Sequence, residues 1–259
     1  MNTPQLPPLT ITTLGRFIIH QNNTPLPDTI WTRGKALTLF QYLLTHHGRM
    51  LPKERIVTDL WPALNANQAE RDFKVALNAI GAALDPNRPA RTLARYLSRQ
   101  GSSYGLNPDE TITTDAHQFE QTALQASQLA EDDPTTAITL YRQALQPYHG
   151  PYLPDTLYED WSTPRRETLE TLFMTSATHL ANLLLTTQAH VEAIHWCQQV
   201  LALDNCWEEA YRLMMRSYIA QNNRPAAIRL YQKCKQTLSD ELNLPPMPAT
   251  QKLYQQIIQ

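Results

Sequence analysis

Covalent chemistry by this chain would most plainly use a serine that lies in a glycine-bounded pentapeptide. Gly101-Ser102-Ser103-Tyr104-Gly105 matches G-x-S-x-G, the pattern that carries the nucleophile of many serine hydrolases. That chemistry needs a helix directly after the serine, and Leu106-Asn107-Pro108 is a poor helix start. A hydrolase using Ser103 is therefore the weakest of three hypotheses, and we expect no enzyme activity.

Metal-binding side chains occur in isolated pairs. His46 and His47 form one pair, and His195 with Cys197 forms another. Neither pair has a second one at ligand spacing, so four ligands cannot be assembled. The sequence also lacks the glycine-rich phosphate loops that bind nucleotides. We expect no metal and no cofactor.

A third group of side chains has the chemistry to bind DNA. An apolar stripe at helical spacing predicts that one face of a helix is buried, and it consists of Phe73, Leu77, Ile80 and Leu84. Asparagine can pair with adenine, and lysine or arginine with guanine, in the major groove. The opposite face carries Arg71, Lys74, Val75, Asn78, Ala79 and Ala82. We predict that all of these residues except Ala79 contact DNA bases. The alternative is that they form only the solvated face of a core helix.

The charge distribution supports a polyanion partner. Residues 1–106 carry a formal charge of +6 and residues 107–259 one of −8. Such a split is typical of a polyanion-binding module joined to a second domain. Basic and hydroxyl side chains in the first part are candidate contacts to phosphates and in a wing: Arg33, Lys35, Arg49, Lys53, Arg55, Arg95, Arg99, Ser102 and Ser103.

The elements that would position these residues follow a recognisable order. Alternation over Leu9–Leu14 and the apolar run Phe17–His20 predict short antiparallel strands. Three amphipathic helices follow, and Asn67 with Glu70 is the expected cap of the third. A hairpin around Gly101-Ser102-Ser103 closes a winged helix. Residues 1–106 would form this domain, and 107–114 a linker.

Residues 115–259 read as helical and repetitive. Ala193 and Ala227 begin similar segments 34 residues apart, and Ala177 and Tyr211 have the same separation. This is the tetratricopeptide period, and Ala137 begins a further copy. The fold class is therefore mainly α with a small β part: an N-terminal winged helix-turn-helix and C-terminal tetratricopeptide-like repeats. In the aromatic stretch 148–161 we expect packing between repeats, with a peptide-binding surface as the alternative.

The chain resembles activators of the Streptomyces antibiotic regulatory protein (SARP) type. Its first part is similar to an OmpR/PhoB-type winged helix, through Leu14-Gly15-Arg16-Phe17, Arg33 to Leu37, Leu60-Trp61-Pro62, Val75 to Leu84 and Gly101 to Tyr104. Its second part is similar to a bacterial transcriptional activator domain, through Ala144-Leu145, Tyr148 to Leu153, Trp161, Glu209 to Met214, Asn223-Arg224, Ala227 to Tyr231 and Leu238 to Leu244 with Pro246.

The resemblance implies a sequence-specific transcription activator in the cytoplasm, associated with the nucleoid and not with a membrane. It implies binding to direct repeats of double-stranded DNA near promoters, with the third helix as recognition helix, and contact with RNA polymerase. We expect self-association on DNA. The alternative is a protein-interaction scaffold that acts through its repeats and whose recognition helix no longer reads DNA.

Two departures from the family pattern bear on these alternatives. The family carries a Leu-Arg pair late in the recognition helix, whereas this chain has no arginine between Asn78 and Leu84. Gly81 lies there instead, and glycine costs a helix about 1 kcal/mol relative to alanine. Asn243 stands where the family has glycine, and asparagine tolerates the left-handed conformation better than most residues.

Overall fold

A computed structural model describes residues 6–31, 34–107 and 112–259. The chain divides into two compact units. The first comprises Met1–Gln118 and His149–Thr168, and the second comprises Phe119–Tyr148 and Leu169–Gln259. The expected division at 107–114 stays a prediction, although the segment 149–168 belongs to the first unit.

Seven strands lie in the described part of the first unit: β1 (Leu9–Thr12), β2 (Ile18–Gln21), β3 (Thr24–Pro25), β4 (Leu51–Pro52), β5 (Leu97–Gln100), β6 (Ser103–Leu106) and β7 (Ile112–Thr114). They form a four-stranded sheet in the order β3-β2-β1-β7 and a three-stranded sheet in the order β4-β6-β5. β7 runs parallel to β1, with Leu9 opposite Ile112. Residues 112–114 of the expected linker are therefore part of a sheet, and the side chain of Ile112 is buried there. Residues 108–111 lie outside the described residues.

The described helices are α1 (Gly34–Thr45), α2 (Lys53–Leu60), α3 (Ala66–Leu84), α4 (Asp115–Leu129), α5 (Pro134–Leu145), α6 (Thr163–Thr186), α7 (His190–Leu203), α8 (Glu208–Ala220), α9 (Arg224–Leu242) and α10 (Pro248–Ile258). None of them is both long and apolar enough to cross a membrane. The order of strands, three helices and hairpin, followed by helices alone, confirms the expected fold class.

The turn between β1 and β2 requires a glycine. Gly15 has a φ of +83°, and a Cβ there would lie 2.7 Å from the backbone carbon of His149. The Gly15 amide also donates to the carbonyl of Pro151 at 3.0 Å. Asp115 fixes the end of β1, since its carboxylate accepts from the amides of Thr13 at 2.7 Å and Leu14 at 3.0 Å.

The third helix begins two residues earlier than its expected cap. Asn65 is the cap, and its side chain accepts from the amide of Gln68 at 3.0 Å. Asn67 therefore lies inside the first turn and the Asn67–Glu70 capping pair was wrong. Asn65 and Asn67 are each followed three residues later by Gln or Glu, so the local sequence pattern does not distinguish between them as the helix cap.

The second unit repeats as the spacing predicted. Ala177, Ala193, Ala210 and Ala227 are fully buried, because small side chains let successive helices approach closely. The side chain of Asn223 caps α9 by accepting from the amide of Ala226 at 3.2 Å. Asn243 ends α9 with a φ of 54° and a ψ of 37°, which confirms the left-handed conformation expected for this position.

The aromatic stretch divides between the two units. Tyr148 stacks on Phe173 in the second unit, with ring centroids 4.2 Å apart. Trp161 packs edge-on against Tyr42 in the first unit, at 5.6 Å. Packing between repeats therefore does not account for the whole stretch, because residues 149–168 return to the first unit.

Candidate nucleic-acid interface

The third helix has one buried and one exposed face, as its spacing predicted. Phe73, Leu77, Ile80 and Leu84 are all buried in the core of the first unit. Arg71, Lys74, Asn78 and Ala82 are exposed on the other side, and Val75 is half-buried. Ala79 packs partly against the core, so its side chain takes little part in the exposed face.

Two carboxylates on α3 neutralise cations around the same face. Glu70 forms ion pairs with Lys53 of α2 and with Lys74, whose Nζ lies 3.0 Å from its Oε1. These lysines lower the pKa of the Glu70 carboxyl, chiefly through the hydrogen bond from Lys53. The sequence analysis missed this role, because Lys53 and Glu70 are brought together only by the packing of α2 against α3.

Asp72 makes the second set of ion pairs. Its Oδ2 lies 2.6 Å from Nζ of Lys35, and its Oδ1 lies 3.3 Å from Nε of Arg71. The hydrogen bond from Lys35 is the main cause of the lowered pKa of Asp72. The Lys35 ammonium also lies 5.4 Å from the ring centre of Trp61, within reach of a cation–π attraction.

Arg95 has a structural partner that the sequence analysis did not predict. Its guanidinium donates to the nearly buried carboxylate of Asp85 at 2.7 and 3.1 Å, and its backbone amide adds a further bond at 3.1 Å. These hydrogen bonds lower the pKa of Asp85 and raise that of Arg95. Arg95 thus joins the end of α3 to the segment before β5. We therefore expect a structural role for it, and the phosphate contact at this position stays a prediction.

The wing is the hairpin of β5 and β6. Arg99 donates to the carbonyl of Gly101 at 3.0 Å, and its guanidinium lies 5.5 Å from the ring centre of Tyr104. Ser102 is exposed at the tip and accepts from the amide of Lys53 through its carbonyl at 3.0 Å. The tip therefore lies beside the start of α2.

Three other predicted phosphate contacts have simpler surroundings. Arg49 is exposed just before β4. Nε of Arg55 lies 3.6 Å from the carboxylate of Asp59, four residues along the exposed side of α2. Arg33 lies outside the described residues.

The late part of α3 is covered by Arg88. A Cβ at Gly81 would collide with the guanidinium of Arg88, which donates to the carbonyls of Asn78 at 3.2 Å and of Asp85 at 3.3 Å. A third hydrogen bond, at 3.3 Å, joins it to the carbonyl of Thr92. Gly81 therefore makes room for a guanidinium that donates to one carbonyl within the last two turns of α3 and to another just after the helix.

The strand position of Ser103 does not match the serine hypothesis. Ser103 begins β6 and is followed by strand residues, whereas a nucleophile elbow needs a helix at that point. Within residues 6–31, 34–107 and 112–259, no three histidine, cysteine or acidic side chains gather in a way that could hold a metal ion.

A winged helix followed by tetratricopeptide-like helices, together with the family match below, defines the class of protein: bacterial regulators of transcription. A model of the bacterial transcriptional activator domain matches residues 114–258, and the chain belongs to this family as an activator of the SARP type. No curated protein matches it in sequence.

The fold is shared with a solved structure titled Mycobacterium tuberculosis EmbR in complex with low affinity phosphopeptide. The superposition has a TM-score of 0.82 and covers 97% of this chain at 20% sequence identity. This chain spans 65% of that protein's chain. The likeness supports the arrangement of elements described above.

Proposed function

We propose that this activator binds direct repeats of double-stranded DNA near promoters and stimulates transcription by contacting RNA polymerase. The observation that carries the proposal is the exposed face of α3, which lies opposite a fully buried apolar stripe. The base-reading residues on it are Arg71, Lys74, Val75, Asn78 and Ala82. Side chains of this kind at this spacing suit the major groove.

Phosphate contacts would flank that face. The starts of α1 and α2 bring Lys35 and Lys53 to Asp72 and Glu70 in the first half of α3, and the tip of the wing lies beside the start of α2. The residues that we propose for this role are Arg33, Lys35, Arg49, Lys53, Arg55, Arg99, Ser102 and Ser103. Because Lys35 is ion-paired with Asp72 and Lys53 with Glu70, DNA would have to displace a carboxylate to reach either lysine.

Binding of the full chain to a panel of unrelated duplexes, measured between low and physiological salt, tests this proposal. Each phosphate that the protein neutralises lowers the slope of log affinity against log salt by about 0.9. We expect a steep slope and clearly different affinities among duplexes. Equal affinity for every duplex would contradict sequence reading.

A protein-interaction scaffold is the second candidate, and one observation favours it. Two acidic residues on the recognition face neutralise four cations, and no arginine follows in its last turns. If the chain is a scaffold, it should bind no duplex at physiological salt. The same full chain, with its fold verified by thermal unfolding, should still bind a protein partner. A specific operator would exclude this candidate.

A further inference from the structure

A groove of about 800 Å³ lies within the second unit. Its walls come from α6, α8, the end of α9 and the segment that leads into α10. Small-molecule sites in proteins have volumes of about 300–1,000 Å³, and their walls are mostly apolar with a few converging polar groups. The size of this groove is therefore that of a ligand site and exceeds an ordinary packing defect.

One wall is apolar and unusually exposed. Leu242, Leu244 and Met247 are 52%, 57% and 61% exposed, and all three line the groove. Most of the large apolar side chains in this domain are buried between helices, so three exposed ones beside one groove are notable. An apolar body bound there would remove their surfaces from water, which is favourable.

The acidic side chains of the groove already have partners inside the domain. The carboxylate of Glu208 accepts from the amide of Met247 at 2.9 and 3.0 Å, and also from the hydroxyl of Thr250. Glu209 forms an ion pair with Arg212. Glu208 therefore joins α8 to the start of α10, whereas the ion pair of Glu209 lies within α8. Both carboxylates have hydrogen-bonding capacity committed to the fold.

Two donors of the groove have no partner among the residues that the structure describes. Asp204, the remaining acid, accepts from the amide of Cys206 at 2.8 Å. By contrast, Arg216 is exposed and makes no ion pair with any residue that the structure describes. The indole N–H of Trp207 is buried and finds no acceptor among those residues, although Trp207 lines the groove. A buried donor without an acceptor is costly, and a ligand that accepts would relieve the cost.

We infer that this groove binds a small organic anion, in which one carboxylate or similar headgroup is attached to an apolar body. The headgroup accepts from Arg216 and from the indole of Trp207, and the apolar body covers Leu242, Leu244 and Met247. The site concerns the repeat domain alone and is independent of how α3 reads DNA.

A fluorescent aromatic anion tests the inference on the full chain. Anilinonaphthalenesulfonate supplies an apolar body with one sulfonate, and N-phenylnaphthylamine supplies the same rings without the charge. Titration is followed by dye fluorescence and by the indole N–H cross-peak of Trp207 in ¹⁵N-labelled protein, which Trp207→Phe assigns. We expect saturable binding of the anion with movement of that cross-peak, and binding of the neutral dye at least about tenfold weaker.

Matched variants locate the site. Arg216→Gln should weaken anion binding by about tenfold, and Leu242→Ser by about fivefold. Arg229→Gln and Val191→Ser remove an exposed charge and an exposed apolar side chain from the same unit outside the groove, and should change affinity by less than about twofold. Thermal unfolding of each variant confirms its fold. An unmoved Trp207 cross-peak, unchanged affinity in Arg216→Gln, or equally tight binding of the neutral dye would each overturn the inference.

Discussion

The charges on single side chains decide how strongly the exposed face of α3 can attract DNA. Glu70 and Asp72 engage lysines from α1 and α2, which lie 37 and 17 residues away in sequence. Residue types and helical spacing predicted which side chains of α3 face outward. They could not predict these ion pairs, because the partners meet only after three helices have packed together.

Removal of one such carboxylate should strengthen DNA binding. In Glu70→Gln, Lys53 and Lys74 lose their ion pairs and become free to contact phosphates. We expect duplex affinity at low salt to rise by about threefold to tenfold, and the salt slope to become steeper by about one to two phosphates. Fluorescence anisotropy across a salt series measures both.

Glu54→Gln is the matched control for that variant. Glu54 is exposed on α2, and its replacement changes the net charge by the same amount. A rise in affinity equal to that of Glu70→Gln would show that net charge, and not release of the two lysines, is responsible.

Asn78 is expected to supply sequence preference. Asn78→Ala removes an exposed amide that can pair with adenine, at an expected cost of about 1–3 kcal/mol in discrimination between specific and unrelated duplexes. Affinity for unrelated duplexes should stay nearly unchanged. Asn87→Ala, which alters an exposed asparagine just beyond α3, serves as control; equal loss of preference in both variants would argue against base reading by Asn78.

Arg95 is expected to act on stability. Arg95→Gln leaves the nearly buried Asp85 carboxylate without its guanidinium, so the free energy of unfolding at pH 7 should fall by about 1–3 kcal/mol. The salt slope of DNA binding should not change. Denaturant unfolding measures the loss, and Arg91→Gln, at an exposed site, should leave stability unchanged.

The ion pair between Arg95 and Asp85 also predicts that the stability of the fold depends on pH. The pKa of Asp85 is lowered from its ordinary 3.8, so the stabilisation is complete above that value and disappears as the pH falls through the lowered pKa. The difference in stability between wild type and Arg95→Gln should therefore shrink below about pH 4. A difference that stays constant down to pH 2 would mean that the ion pair does not stabilise the fold.

At the scale of elements, local patterns predicted most helices and the wing, and long-range pairing accounts for what they missed. The hairpin of β5 and β6 and the buried stripe of α3 follow directly from spacing. The parallel pairing of β7 with β1 does not, because about a hundred residues separate the two strands. For the same reason the return of residues 149–168 to the first unit was not predicted.

The end of α3 gives a prediction at this scale. Alanine at Gly81 should add about 1 kcal/mol of helix stability, but its Cβ displaces the Arg88 guanidinium from the carbonyls that it satisfies. We expect Gly81→Ala to be nearly neutral in wild type and stabilising by about 1 kcal/mol in an Arg88→Ala background. A double-mutant cycle by denaturant unfolding measures the coupling, and additive effects would contradict the packing described.

At the scale of the whole molecule, the chain joins a basic part that contains the winged helix to an acidic repeat domain of the bacterial transcriptional activator family. The charge split predicted a polyanion-binding first part, and the 34-residue period predicted the helical repeats that follow it. The candidate ligand groove of the repeat domain was not predictable, because its walls are assembled from residues that are distant in sequence.

The central claim is that α3 reads DNA sequence, and selection of bound duplexes from a randomised library tests it most directly. The full chain is used at near-physiological salt, and bound duplexes are sequenced. We predict enrichment of a direct repeat whose half-sites are spaced by about one helical turn, ~10–11 bp, and loss of this enrichment in Asn78→Ala. No enrichment by a chain with an intact fold would contradict the claim. The function of the protein would then be sought in the binding of partners by its repeat domain.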